Sequence, residues 1–171
     1  MNAPLWVAVP VVVVAILAAR ADVRARRIPN ALTGPAIVLA LLAHFWFEGF
    51  AGLRGSLAGM LIGAGLLLPG FIFRFTGAGD VKLMAAVGAW FAFPDALMAT
   101  LLAFIAGGLV AIVVAARRKI LRHTLLNTAW LAAWVMRPGA VAATPPPGSG
   151  VRFPFALAVL AGSIAGLWIR V

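Results

Sequence analysis

"VKLMAAVGAWFAFPDALMATLLAFIAGGLVAIVVAA" runs from Val81 to Ala116 with only Lys82 and Asp95 carrying charge. A membrane-crossing helix takes about 20 apolar residues, within a range of roughly 17–25. This stretch is too long for one crossing. Phe93-Pro94-Asp95 supplies the break, because proline has no amide to donate and suits the first turn of the following helix. The stretch therefore reads as two spans, Ala78–Phe93 and Ala96–Ala116. The first is short and begins within Gly77–Asp80 or sits shallow. Working outward, Pro4–Ala19, Ala31–Phe47, Leu57–Phe75 and Phe153–Ile169 are further apolar runs. The predicted fold is an all-α membrane protein, a bundle of six transmembrane helices formed by residues 1–171 as a single domain.

Composition supports that class. Of 171 residues, 64% are hydrophobic and 11% charged, where a soluble domain has roughly 45–50% apolar residues. So little polar surface would not cover a soluble core of this size. The N-terminal "MNAPLW" lacks a basic leader region, and Arg20 follows the first apolar run in place of a small-residue cleavage site. That run reads as a retained helix. There are no cysteines, which removes disulfides, thiolate metal sites and cysteine nucleophiles.

Six spans sort the basic residues. One side receives Arg20, Arg24, Arg26, Arg27, Arg74, Lys82, Arg117, Arg118, Lys119, Arg122, Arg137 and Arg152; the other receives Arg54 and Arg170. The positive-inside rule makes the first side cytoplasmic and puts both termini outside. The basic clusters then read as topology signals in contact with anionic lipid, not as a nucleic-acid surface. Within the cytoplasmic segment of about 117–152, "HTLLNTAWLAAWVM" (His123–Met136) is too short for a span and reads as an interfacial helix. The linker "TPPPGSG" (Thr144–Gly150) follows it. Gly55, Gly59 and Gly63, and Gly162 and Gly166, are spaced to let helix backbones approach closely.

The four acidic residues are Asp22, Glu48, Asp80 and Asp95. Glu48 and Asp95 fall on the outer side, at loop or helix-end positions where water can solvate them. Asp22, just past helix 1, and Asp80, at the start of helix 4, fall at the same depth on the cytoplasmic side. Ionisable groups at such positions are functional candidates. Two carboxylates brought together share a proton, and one can accept a proton from water while the other donates to a carbonyl oxygen. The structural alternative is that Asp22 pairs with Arg20 or Arg24 and Asp80 caps its helix. Helix dipoles favour an ionised Asp80 and a protonated Asp22, while the arginines around Asp22 oppose this. Gly77 and Gly79 permit unusual backbone conformations ahead of Asp80. Pro29 biases Ile28 toward extended backbone, and Asn30 can cap helix 2. His44 and His123 lack a partner at metal-ligand spacing and read as packing or interfacial residues.

At these residues the chain resembles a family. Asp22 with Ile28-Pro29-Asn30, and Gly77-Ala78-Gly79-Asp80-Val81-Lys82-Leu83, are similar to the two signatures of the prepilin peptidases, the G-x-G-D intramembrane aspartyl proteases. The resemblance covers essentially the whole chain. It implies cleavage of short basic leaders from prepilins and pseudopilins at the cytoplasmic membrane face, with Asp22 and Asp80 as catalytic pair and no cofactor. It implies that Gly77 and Gly79 shape the second aspartate's loop, and that Lys82 matches the family's lysine. Pro154-Phe155 is similar to a proline–aromatic element of short members, although Ala156 stands where glycine is common. Long members carry a cysteine-paired domain and methylate the new terminus. This chain resembles the short form that serves Flp-type pili, and methyltransferase activity is not expected. A proton-coupled transporter would set its carboxylates nearer the membrane midplane. A non-enzymatic assembly scaffold would tolerate loss of both.

Overall fold

The computed structural model describes residues 3–72, 76–117 and 155–168. Their regular structure is all helix, with no strand among the described residues. In chain order the helices are α1 (Leu5–Ala25), α2 (Asn30–Ile72), α3 (Ala78–Phe91), α4 (Asp95–Arg117) and α5 (Phe155–Trp168). By length and composition, α1 and α2 are each able to cross a membrane. The chain forms two compact units, residues 1–107 with 154–171, and residues 108–153. The features below lie in the first. Of the second, the described part is the end of α4. The expected interfacial helix His123–Met136, the linker Thr144–Gly150 and Pro154 lie outside the described residues.

The sequence reading separates spans 2 and 3 by a loop across 48–56. The structure instead carries helix from Asn30 to Ile72, broken at Gly49 (φ 65°, ψ −150°). That backbone region is open to glycine and costly for other residues. Neighbours of the two arms reveal what the break does. On the first arm Asn30 meets Lys82 and His44 meets Trp90, so it runs parallel to α3. On the second arm Ser56 meets Ala89 and Gly63 lies against Met84, so it runs antiparallel to α3. The chain therefore reverses at Gly49. Residues 51–56 stay helical because they cap α3: Ser56 Oγ donates to Ala89 O at 2.8 Å, and Phe93 N–H donates to Gly55 O at 2.9 Å. The Ala89 carbonyl and the Phe93 N–H would otherwise be orphaned where α3 ends.

α3 is the core element. Leu83 through Phe91 are all buried, as expected of a helix enclosed on every side. α1 packs on α5 and on α3, and its buried residues Val7, Val11, Val14, Ala15 and Ala18 recur at helical spacing. The glycine ladders serve close approach. A side chain on Gly59 would strike the Gly88 carbonyl, and one on Gly88 would strike the Gly59 carbonyl; Gly63 faces the Met84 carbonyl in the same way. Gly162 and Gly166 of α5 lie against Ala103 and Ala99 of α4.

Candidate functional site

α1 continues to Ala25, so Asp22 stands in its last turn and not beyond its end. The Arg26 N–H donates to the Asp22 backbone carbonyl at 2.8 Å, and Arg26 takes a left-handed conformation (φ 50°) that ends the helix. The chain then passes through buried Ile28 and Pro29 into α2, which starts at Asn30. The Pro29 carbonyl accepts the Leu32 N–H at 3.0 Å, opening that helix.

Opposite this turn lies the start of α3. Gly77 is its N-cap residue, and Asp80 sits in its first turn. The Asp80 Oδ2 accepts the Gly77 N–H at 3.1 Å. This is the carboxylate half of a capping box; glycine has no side chain to return the other half. Gly79 lies against Ile28: a Cβ there would come 3.2 Å from the Ile28 Cβ. Lys82 Nζ donates to Asn30 Oδ1 at 2.9 Å. The Asn30 side chain is thus engaged across helices by Lys82, not in the expected cap of its own helix.

The third wall is α5. The Ala156 N–H donates to Asp22 Oδ2 at 3.3 Å. Asp22 and Asp80 are both partly buried, and they lie close enough for their charges to interact. Each carboxylate is oriented through Oδ2 by a backbone N–H in the first turn of a helix, Gly77 with α3 for Asp80 and Ala156 of α5 for Asp22. The helix-dipole asymmetry expected between them is therefore reduced, because the α5 N-terminus offsets the unfavourable end of α1.

The structure brings Asp22, Asn30, Gly77, Gly79, Asp80 and Lys82 into one corner at the same end of α1 and α3. Pro154 lies outside the described residues. Sequence reasoning missed Ile28 as the residue on which Gly79 rests, although it stands inside the quoted motif. It also missed the Ala156 amide, for which a backbone group far along the chain leaves no signal. Two further expectations are corrected. Asp95 is not solvated at a helix end but buried at 6% exposure. His44 is not an isolated packing residue. Its Nδ1 lies 3.0 Å from Glu48 Oε2 and its Nε2 3.1 Å from the Trp90 carbonyl. The i,i+4 spacing of His44 and Glu48 was the available signal. Among the described residues, no group of three or more His, Cys, Asp or Glu is placed to hold a metal ion.

The fold and this corner define a class: an all-helical, strongly apolar protein that sets two carboxylates together at one end of its helices. Residues 9–112 match the type IV leader peptidase family, and the chain belongs to that family. The matched stretch contains both aspartates, Asn30, Gly77, Gly79 and Lys82. The chain is thus a peptidase of the leader-peptidase type, whose substrates are of the prepilin kind. No curated protein and no solved structure matches it.

Proposed function

We propose that this protein is an intramembrane aspartyl endopeptidase of the short, Flp-pilus type, and that Asp22 and Asp80 are its catalytic pair. The observation that carries this reading is the approach of two carboxylates from distant parts of the chain, each held by a backbone N–H. One aspartate takes a proton from water as it attacks the scissile carbonyl. The other donates a proton to the carbonyl oxygen, and the collapsing tetrahedral intermediate passes a proton to the leaving amine. Gly77 and Gly79 keep the approach to Asp80 open for an extended substrate backbone. Lys82 and Asn30 hold the starts of α3 and α2 in register, and Pro154 is a further candidate by its resemblance to the family's proline–aromatic element.

In this reading the protein is a six-span bundle in the cytoplasmic membrane. Both termini lie outside, and the aspartate corner faces the cytoplasm. The prepilin's apolar helix docks laterally from the bilayer and its leader crosses the mouth past Asp80. No cofactor enters the reaction, and the new N-terminus is not methylated by this chain.

The test is leader cleavage on co-expression with a Flp-type prepilin, followed by product mobility and N-terminal sequence. Loss of cleavage in Asp22→Ala and Asp80→Ala, with retention in Gly65→Ala, is expected. Cleavage that survives both aspartate changes at wild-type membrane levels overturns the mechanism and favours a transporter or scaffold role.

A further inference from the structure

The end of the bundle opposite the aspartate corner holds a second set of ionisable groups that the proposed reaction does not use. His44 is 1% exposed. Its ring packs edge-on against Trp6 of α1 at 4.9 Å, and Trp6 in turn stacks on Phe47 at 4.8 Å. Nε2 faces the Trp90 carbonyl at 3.1 Å, and Nδ1 faces Glu48 Oε2 at 3.0 Å. A carbonyl oxygen only accepts, so Nε2 must carry hydrogen. A neutral imidazole has one N–H, and that one is now assigned. The Nδ1 lone pair would then confront a carboxylate oxygen at hydrogen-bond distance. Two acceptors do not hold that separation without a proton between them.

From this geometry we infer that His44 and Glu48 form a proton-binding site: the pair retains one shared proton in addition to the Nε2 hydrogen. Imidazolium with carboxylate and imidazole with carboxylic acid are the two ways of writing it, and both have the same proton count and no net charge. The inference is independent of Asp22 and Asp80. Loss of the shared proton leaves two lone pairs opposed. The ring is too buried to turn toward water, whereas Glu48, at 42% exposure, can swing out.

The consequence is local and structural. Glu48 immediately precedes the reversal at Gly49, and its side chain lies against Gly52 at the start of the second arm. His44 caps a carbonyl in the last turn of α3, where a positive ring is also favoured by the helix end. The shared proton therefore clasps three segments: both arms of α2 and the end of α3. Around the ring, α1 presents Trp6 and α3 the Trp90 carbonyl. Asp95 of α4 lines the same cavity as His44 and Glu48, which has a volume of about 430 Å³. Arg54 on the second arm is exposed.

The experiment is NMR of the full chain, labelled at histidine nitrogens and at the glutamate side-chain carboxyl carbon, in lipid nanodiscs. His123→Gln assigns the His44 signals, and Glu48 is the chain's one glutamate. Nε2 is expected to bear hydrogen, and the shared proton is expected either on Nδ1 or on the Glu48 carboxyl group. In Glu48→Gln the amide can donate to Nδ1, so that nitrogen should carry no hydrogen while Nε2 keeps its own. A bare Nδ1 beside an ionised Glu48 carboxylate in the wild type overturns the inference. So does an Nδ1 signal that responds to Asp95→Asn and not to Glu48→Gln.

Discussion

Lys82 Nζ donates to Asn30 Oδ1 at 2.9 Å, joining the second turn of α3 to the first residue of α2. The bond spans two segments distant in sequence and starts two residues beyond Asp80. Lys82 and Asn30 are both exposed, so water competes for the bond. Its contribution should be about 1 kcal/mol, the middle of the range for intramolecular hydrogen bonds. Lys82→Met and Asn30→Ala should each lower leader-cleavage kcat/KM by about fivefold, and the double variant should lose little more than either single one. Steady-state cleavage of a prepilin in nanodiscs measures this. Additive losses would show that the two side chains act separately.

Gly79 rests on Ile28, with room for a Cβ only at 3.2 Å from the Ile28 Cβ. Gly79→Ala should therefore push the Ile28 turn away from Asp80 and reduce cleavage by about tenfold, equivalent to about 1.4 kcal/mol. Ile28→Ala in the same chain removes the obstructing side chain. The double variant should recover part of that loss. Rates of the four proteins, at matched membrane levels, decide it.

Gly59 and Gly88 meet backbone to backbone where the second arm of α2 crosses α3. A methyl group at either position meets a carbonyl oxygen that cannot move without displacing a helix. Gly59→Ala and Gly88→Ala should each destabilise the fold by about 1–3 kcal/mol, the usual cost of overpacking. Gly65 has open space around it, so Gly65→Ala should leave stability unchanged or raise it by about 0.4–1 kcal/mol. Thermal unfolding in one detergent compares the three.

Asp22 and Asp80 are the strongest test of the proposed chemistry. Removing either member of an acid–base pair should lower kcat by about 10²–10⁴-fold. Asp22→Asn and Asp80→Asn keep the side-chain volume and an acceptor for the Ala156 and Gly77 amides. Their unfolding midpoints should therefore stay near wild type while cleavage fails. A large loss of stability in both would point to a structural role for the pair.

Several features of this protein were legible in its residues alone. Asp22 with Ile28-Pro29-Asn30 and Gly77-Ala78-Gly79-Asp80 marked the corner, because carboxylates and glycines stand out in an apolar chain. Phe93-Pro94-Asp95 marked the boundary between α3 and α4, because proline cannot continue the helix before it. The glycine ladder at 55, 59 and 63 marked a packing face. The reversal at Gly49 was harder to place. The loop expected over 48–56 is mostly helix, since Ser56 and the Gly55 carbonyl meet bonding groups at the end of α3 that lie far away in sequence.

Sequence by itself thus determined the helical class, the place of Asp80 at the start of its helix, and the family. These follow from local properties: apolar run length, proline and glycine positions, and a motif of fixed spacing. Tertiary structure alone decided that the Ala156 amide orients Asp22, that Lys82 takes the Asn30 oxygen, that Asp95 is buried, and that His44 bridges Glu48 to the Trp90 carbonyl. Each of these depends on a donor or acceptor whose partner is set by how helices pack. A backbone amide or carbonyl is present at nearly every residue, so its engagement leaves no mark on the sequence.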